Sequence, residues 1–162
     1  MLTVNTSINY SISIGDIINT ALLLLTILSL VFTAIQLAQT KKINRASLVK
    51  ELYWTFYDDD EIREVFYVIE WSNYKDDIKI DGYEQKADKM LSFFEIVCSM
   101  YYRKILTKAD METFNYEMNR VYAHAKIQEY LDFLDNWQEN LSIGESYSNY
   151  KKYCQEYKKR KK

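Results

Sequence analysis

The chain has no proline, and only three glycines, Gly15, Gly82 and Gly144, in 162 residues. These two residues punctuate turns and strand ends. Their scarcity argues against a turn-rich β architecture and favours long helices joined by short polar loops. No window alternates apolar and polar residues for long, so no sheet is predicted. There is one histidine, His124, and two cysteines, Cys98 and Cys154, which lie far apart and fit no metal-ligand spacing. Cys98 sits in the apolar context "FFEIVCSMYY" and reads as a small buried side chain. His124, alone on a helical segment, reads as structural. A Gly-rich phosphate loop, a GxSxG elbow and an HExxH pair are all missing. No catalytic residue, cofactor, metal or small-molecule substrate is read from the chain, and an enzyme is not expected.

Charge is missing too, but only locally. The first 40 residues contain a single charged residue, Asp16, and Ile17 to Ala38 are 22 consecutive residues without any. As an α-helix this stretch is about 33 Å long, enough for a hydrocarbon core of roughly 30 Å. A cleaved signal peptide would need a basic segment before it, and none occurs before Lys41; "AIQLAQTKK" is also a poor cleavage site. A core helix of this length would need burial on every side, which a small domain seldom supplies. The stretch is therefore expected to cross a membrane. Lys41, Lys42, Arg45 and Lys50 follow it and nothing basic precedes it, so the positive-inside rule places the C-terminal side in the cytoplasm of a cell (inner) membrane protein. Residues 1–16 would be a short extracytoplasmic tail. Reduced cysteines suit the cytoplasmic side.

Within the stretch, Asn19, Leu22, Thr26, Ser29, Thr33, Gln36 and Thr40 recur at spacings of 3 and 4, the period of one helix seam. Asn19, Thr26, Ser29, Thr33 and Gln36 form a polar line. Three readings stand. The hydroxyls can bond the i−4 carbonyls of their own helix. They can hold another helix, as a homo-oligomer or with a partner protein. They can line water.

Beyond Ala38, Ile43, Ala46, Val49, Leu52, Tyr53 and Phe56 keep helical spacing, so the helix is expected to run on without a break. "DDDEIREVFYVIEW" predicts a second helix with Asp58 as N-cap and Glu61 three residues later, and Ile62, Val65, Phe66 and Ile69 as its apolar face. "SNYKDDIKIDGYEQ" reads as a loop. A long helix follows from about Tyr83 to Leu106, with Ala87, Leu91, Phe94, Val97, Cys98 and Tyr101 as its stripe. "TKAD" (Thr107 to Asp110) has capping-box spacing and opens a further helix patterned by Met111, Phe114, Met118, Val121, Tyr122 and Ala125. Ile127, Tyr130, Leu131, Leu134 and Trp137 continue the pattern to a break around Gly144. A last helix places Tyr147, Tyr150, Cys154 and Tyr157 on one face. The fold class is all-α: one N-terminal transmembrane helix (17–38), then a small cytoplasmic bundle (39–146) of about four to five helices, then a terminal helix and polybasic tail (147–162).

Three charges lie close to apolar faces: Arg63, Glu70 and Glu95. A buried charge needs a partner, so a structural ion pair of Arg63 with Glu70 or Glu95 is expected. The net charge of −2 hides an asymmetry. Residues 151–162, "KKYCQEYKKRKK", carry Lys151, Lys152, Lys158, Lys159, Arg160, Lys161 and Lys162 against one Glu, while residues 41–150 are acidic. A solvated tail is the plain reading. In an anchored protein the sharper one is contact with anionic lipid, with nucleic acid ranked below both.

"DDEIREVFYVIEW", "KMLSFFEIVCSMYYRKILTKADMETFNY" and "IQEYLDFL", placed after a membrane helix and a basic stop, resemble a widespread bacterial family of small single-pass membrane proteins of unknown function with a cytoplasmic helical domain. The resemblance covers residues 17–135. That family often has Gly where this chain has Lys104, so a different turn is expected there. The resemblance implies a setting among phage-defence or mobile-element genes and no activity. The expected role is a membrane-anchored cytoplasmic helical module that binds a partner protein or self-associates. The alternative is a membrane-disrupting effector of abortive-infection or toxin type.

Overall fold

A computed structural model of the chain describes residues 13–71, 83–140 and 144–160. The element order is α1 (Ile14–Asp58), α2 (Asp60–Trp71), α3 (Glu84–Tyr102), α4 (Lys108–Met111), a 3-10 turn (Glu112–Phe114), α5 (Asn115–Tyr122), α6 (Ala125–Asn140) and α7 (Ser148–Arg160). No strand occurs among the described residues. The all-helical class is as the composition predicts. Six helices, α2 to α7, follow α1 among the described residues, the last of them the terminal helix; the segment after Thr107 breaks into α4, the 3-10 turn and α5. Residues 1–12, most of "SNYKDDIKIDGYEQ" and part of the break before Gly144 lie outside the described residues. The chain divides into two compact units, with the boundary between Asn44 and Arg45.

The first unit holds the apolar part of α1. Asp16, the lone charge of the first 40 residues, is explained by the helix start. Its carboxylate accepts from the Ser13 amide at 3.0 Å, and its own amide donates to the Ser13 hydroxyl at 3.2 Å. The pair satisfies donors that a helix N-terminus leaves open and puts a negative charge at the positive end of the dipole. No breaker interrupts α1 for 45 residues.

The second unit is built around α3, which packs against α2 on one flank and α7 on the other, while α5 joins α2, α6 and α7. Phe56 is the one residue of α1 that is buried, with Leu48, Val49 and Leu52 packed partly against the core. From Phe56 an aromatic series runs through the unit. Phe66 lies 5.3 Å from Phe56, Phe56 5.4 Å from Phe94, Phe94 5.3 Å from Tyr150, and Tyr150 5.8 Å from Tyr122. Such offset and edge-on pairs add to the burial of large rings. Five elements, α2, α1, α3, α7 and α5, meet along this line. The apolar stripes read from the sequence are largely the core: Ile62, Val65, Phe66 and Ile69 of α2, and Ala87, Leu91, Phe94, Val97 and Cys98 of α3, are buried. Trp137, assigned to the stripe of α6, is 54% exposed instead.

The turn after α3 takes the shape glycine would take. Lys104 has φ 61°. The Lys104 amide donates to the Tyr101 carbonyl at 2.9 Å and the Ile105 amide to the Met100 carbonyl at 2.9 Å, which closes the helix end with its usual pair of bonds. A side chain in this left-handed region costs about 1–2 kcal/mol. Lys104→Gly is expected to stabilise the unit by about 0.5–1 kcal/mol, after glycine's extra unfolded-state entropy is deducted. A rise of a few degrees in Tm checks it.

Candidate functional site

The line of polar residues on α1 comes first. The Thr26 hydroxyl donates to the Leu22 carbonyl at 2.8 Å, Ser29 to Leu25 at 2.9 Å and Thr33 to Ser29 at 2.8 Å. Thr20 does the same to Asp16 at 2.7 Å. These donors are satisfied within their own helix, so no second helix is required to pair them. Asn19 and Gln36, on the same seam, are exposed. The large apolar residues around the line are exposed as well, for example Leu28 at 64% and Phe32 at 62%.

The structure does not bring Arg63, Glu70 and Glu95 together. Each is drawn to a helix end instead. Arg63 donates through Nη1 to the Tyr57 carbonyl at 2.9 Å and pairs with Asp60. α1 has no basic residue in its last turn, and the guanidinium supplies the positive charge that its open carbonyls favour. Glu70 accepts from the Tyr116 hydroxyl at 2.6 Å, while Arg120 donates to the Glu70 backbone carbonyl at 2.9 Å, at the C-terminal end of α2. Glu95 reaches from α3 to the start of α7. Its Oε2 accepts from the Tyr150 amide at 2.9 Å, and its Oε1 from the Asn149 side-chain amide at 2.6 Å and backbone amide at 3.3 Å. A carboxylate from another helix thus does the work of an N-cap. Orphan groups at helix ends outbid a mutual ion pair because burying them unmatched is costly. Glu95→Ala is expected to cost about 2 kcal/mol and to speed hydrogen exchange at the Asn149 and Tyr150 amides before the rest of the bundle.

The cap of α2 is also one residue from its predicted place. Asp58 ends α1, and the Asp59 carboxylate accepts from the Glu61 and Ile62 amides, both at 3.1 Å. Lys89 of α3 lies 2.7 Å from the same carboxylate. Its hydrogen bond, with help from the two amides, holds the Asp59 carboxyl below the usual range. The second capping box is where the spacing puts it: Thr107 and Asp110 bond each other's amides, and Arg45 approaches Asp110 at 3.2 Å.

The basic segment is not a free tail over its described length. α7 continues to Arg160. Lys151 pairs with Asp135 at 2.6 Å with its side chain only 13% exposed. Lys152 sits 4.6 Å over the Tyr102 ring and Lys158 4.6 Å over the Tyr122 ring. Arg160 pairs with Glu156 at 3.1 Å. Lys159 is exposed, and Lys161 and Lys162 lie outside the described residues. Tyrosines and carboxylates of the bundle claim these cations because α7 is folded onto it.

One buried carboxylate escaped the sequence reading. Glu117 is 7% exposed and accepts from the Tyr57 hydroxyl at 2.6 Å, tying α5 to the last turn of α1. Burial, and then the adjacent carboxylate, push the Tyr57 hydroxyl well above its ordinary range. The signal was present: Glu117 stands three residues after Phe114 and next to Met118, on the apolar stripe. Cys98 and Cys154 are both buried beside Met118, one sulfur 3.8 Å from its Sδ and the other 3.8 Å from its carbonyl. Burial raises both thiols, Cys154 to about 12, so neither is a thiolate nucleophile near neutrality. His124 is half-buried, and that burial lowers its pKa. Among the described residues no group of three or more His, Cys, Asp or Glu is placed to hold a metal ion.

Set against known proteins, the chain is matched by no family model, no curated protein and no solved structure.

Proposed function

We propose that this protein is a membrane-anchored helical module. The stretch Ile17–Ala38 crosses the inner membrane of a bacterial cell, and Lys41, Lys42 and Arg45 hold the following side in the cytoplasm. The bundle works there by binding a partner protein or by self-association. The observation that carries the reading is the state of α1: it is long and apolar enough to cross a membrane, and none of its most apolar 18-residue stretch is buried. A core helix of a soluble protein would be covered, whereas in a bilayer the exposed leucines and isoleucines have a solvent. The resemblance adds a phage-defence setting to the proposal.

The polar line decides how the module associates within the membrane. Replacing Thr26, Ser29 and Thr33 together with leucine keeps the stretch apolar and enlarges the seam. If small residues let two helices approach closely, crosslinked dimers in native membranes fall at least about fivefold, the equivalent of roughly 1 kcal/mol of helix association. An unchanged crosslinking pattern assigns the hydroxyls to their own helix alone, and places any association in the bundle.

A further inference from the structure

The geometry points to a second lipid contact, distinct from the basic C-terminal segment: the turn between α3 and α4, "RKILTK" (Arg103 to Lys108), rests on an anionic bilayer surface. This inference depends on the reading that Ile17–Ala38 spans the membrane, and it names what the bundle meets there.

Three observations combine. The first is charge. Arg103, Lys104 and Lys108 are all exposed on this turn, and Arg45 and Arg160 flank the same end of the bundle. The nearby acids are mostly engaged. Asp110 is held by Arg45 and Thr107, and Glu156 by Arg160, which leaves Glu112 as the exposed acid of α4's neighbourhood. The second is shape. The left-handed backbone at Lys104 ends α3 abruptly, and the next residue, Ile105, stands 48% exposed between basic neighbours. An apolar side chain ringed by cations suits the headgroup layer, where the ring meets phosphates and the tip meets acyl chains. The third is the tether. Arg45 lies seven residues after Ala38 and touches Asp110 of α4. Seven residues reach about 10 Å as helix and at most about 25 Å extended. The turn therefore cannot travel far from the bilayer surface in any arrangement of the anchor. Of the described C-terminal cations, Lys151 is spent on Asp135, Lys152 and Lys158 lie over the Tyr102 and Tyr122 rings, and Arg160, paired with Glu156, belongs to this same end of the bundle.

The test uses the full chain carrying Ile105→Cys, labelled with an environment-sensitive fluorophore; Cys98 and Cys154 are buried and stay unlabelled in the native fold. The chain is reconstituted into vesicles of phosphatidylcholine alone and of phosphatidylcholine with phosphatidylglycerol, and insertion is scored by flotation. The expected result is a blue shift of emission on the phosphatidylglycerol vesicles, its loss at high salt, and its loss in Arg103→Glu/Lys104→Glu/Lys108→Glu, whose unchanged circular dichroism shows an intact bundle. A triple variant that unfolds is replaced by Arg103→Gln/Lys108→Gln, from which a reduced shift is expected. A chain that floats but shows water-like emission in both vesicles overturns the lipid contact and leaves the anchor standing. An equal shift in both overturns the anionic preference. A chain that does not float overturns the anchor, and this contact with it.

Discussion

Phe56→Ala is expected to destabilise the bundle by about 3–5 kcal/mol, the range for removing a large buried aromatic side chain. Phe56 is the only residue of α1 that is buried, and it contacts Phe66 of α2 and Phe93 and Phe94 of α3 at ring distances of 5.3, 5.6 and 5.4 Å. Alanine there opens a cavity at the point where three helices meet and interrupts the aromatic series before it reaches Tyr150. For a unit of this size the loss corresponds to a fall in Tm of roughly 10–20 °C. Thermal unfolding of the full chain in detergent, followed in the near-ultraviolet, measures it. The polar ties of α1 to the bundle, Tyr57–Glu117, Arg63 to the Tyr57 carbonyl and Arg45–Asp110, would remain. A drop of less than about 1 kcal/mol would mean that the core does not depend on α1.

Leu28→Arg with Val31→Arg is expected to abolish stable membrane insertion. Both positions lie near the middle of Ile17–Ala38, both side chains are more than half exposed on α1, and neither has a partner that could neutralise a guanidinium. An arginine at the centre of a spanning helix costs about 2.5–3.5 kcal/mol, and the replaced apolar residues forfeit a few tenths each, so the pair costs about 6 kcal/mol in all. Fractionation should move the variant out of the membrane pellet while the bundle, which contains neither position, keeps its fold. Retention in the membrane through alkaline extraction would show that another part of the chain holds it there.

What could be read from the sequence follows the reach of each interaction. The capping box at Thr107 and Asp110 was legible because both partners lie within one turn. The stripes of α2 and α3 were legible because burial follows the helical period. Glu95 was not, since its partners at Asn149 and Tyr150 are more than fifty residues away and nothing local marks them. Arg63 was misassigned for a different reason: its partners, the Tyr57 carbonyl and Asp60, are near in sequence, but they face it only because α1 ends at Asp58 and α2 starts at once. The start of α7 and the end of α2 are closed by Glu95 and Arg120 from distant helices, and these are tertiary choices. Lys104 shows the reverse case. The resemblance implied a different turn where a lysine stands in place of glycine, yet the backbone at Lys104 is left-handed, as glycine's would be, and the lysine bears the strain. Trp137 kept the period of α6 but faces outward, because α6 makes its main packing contact with α5 and, among its described side chains, buries Ile127 and Leu131 alone.

The most direct test of the account is the topology of the full chain with an epitope on its C-terminus, expressed in a bacterial host. Spheroplasts are treated with protease before and after permeabilisation, and the membranes are then washed at alkaline pH. The account predicts an epitope protected in intact spheroplasts, degraded once they are opened, and a chain that stays in the membrane through the wash. Degradation in intact spheroplasts, or release of the chain by the wash, would contradict it.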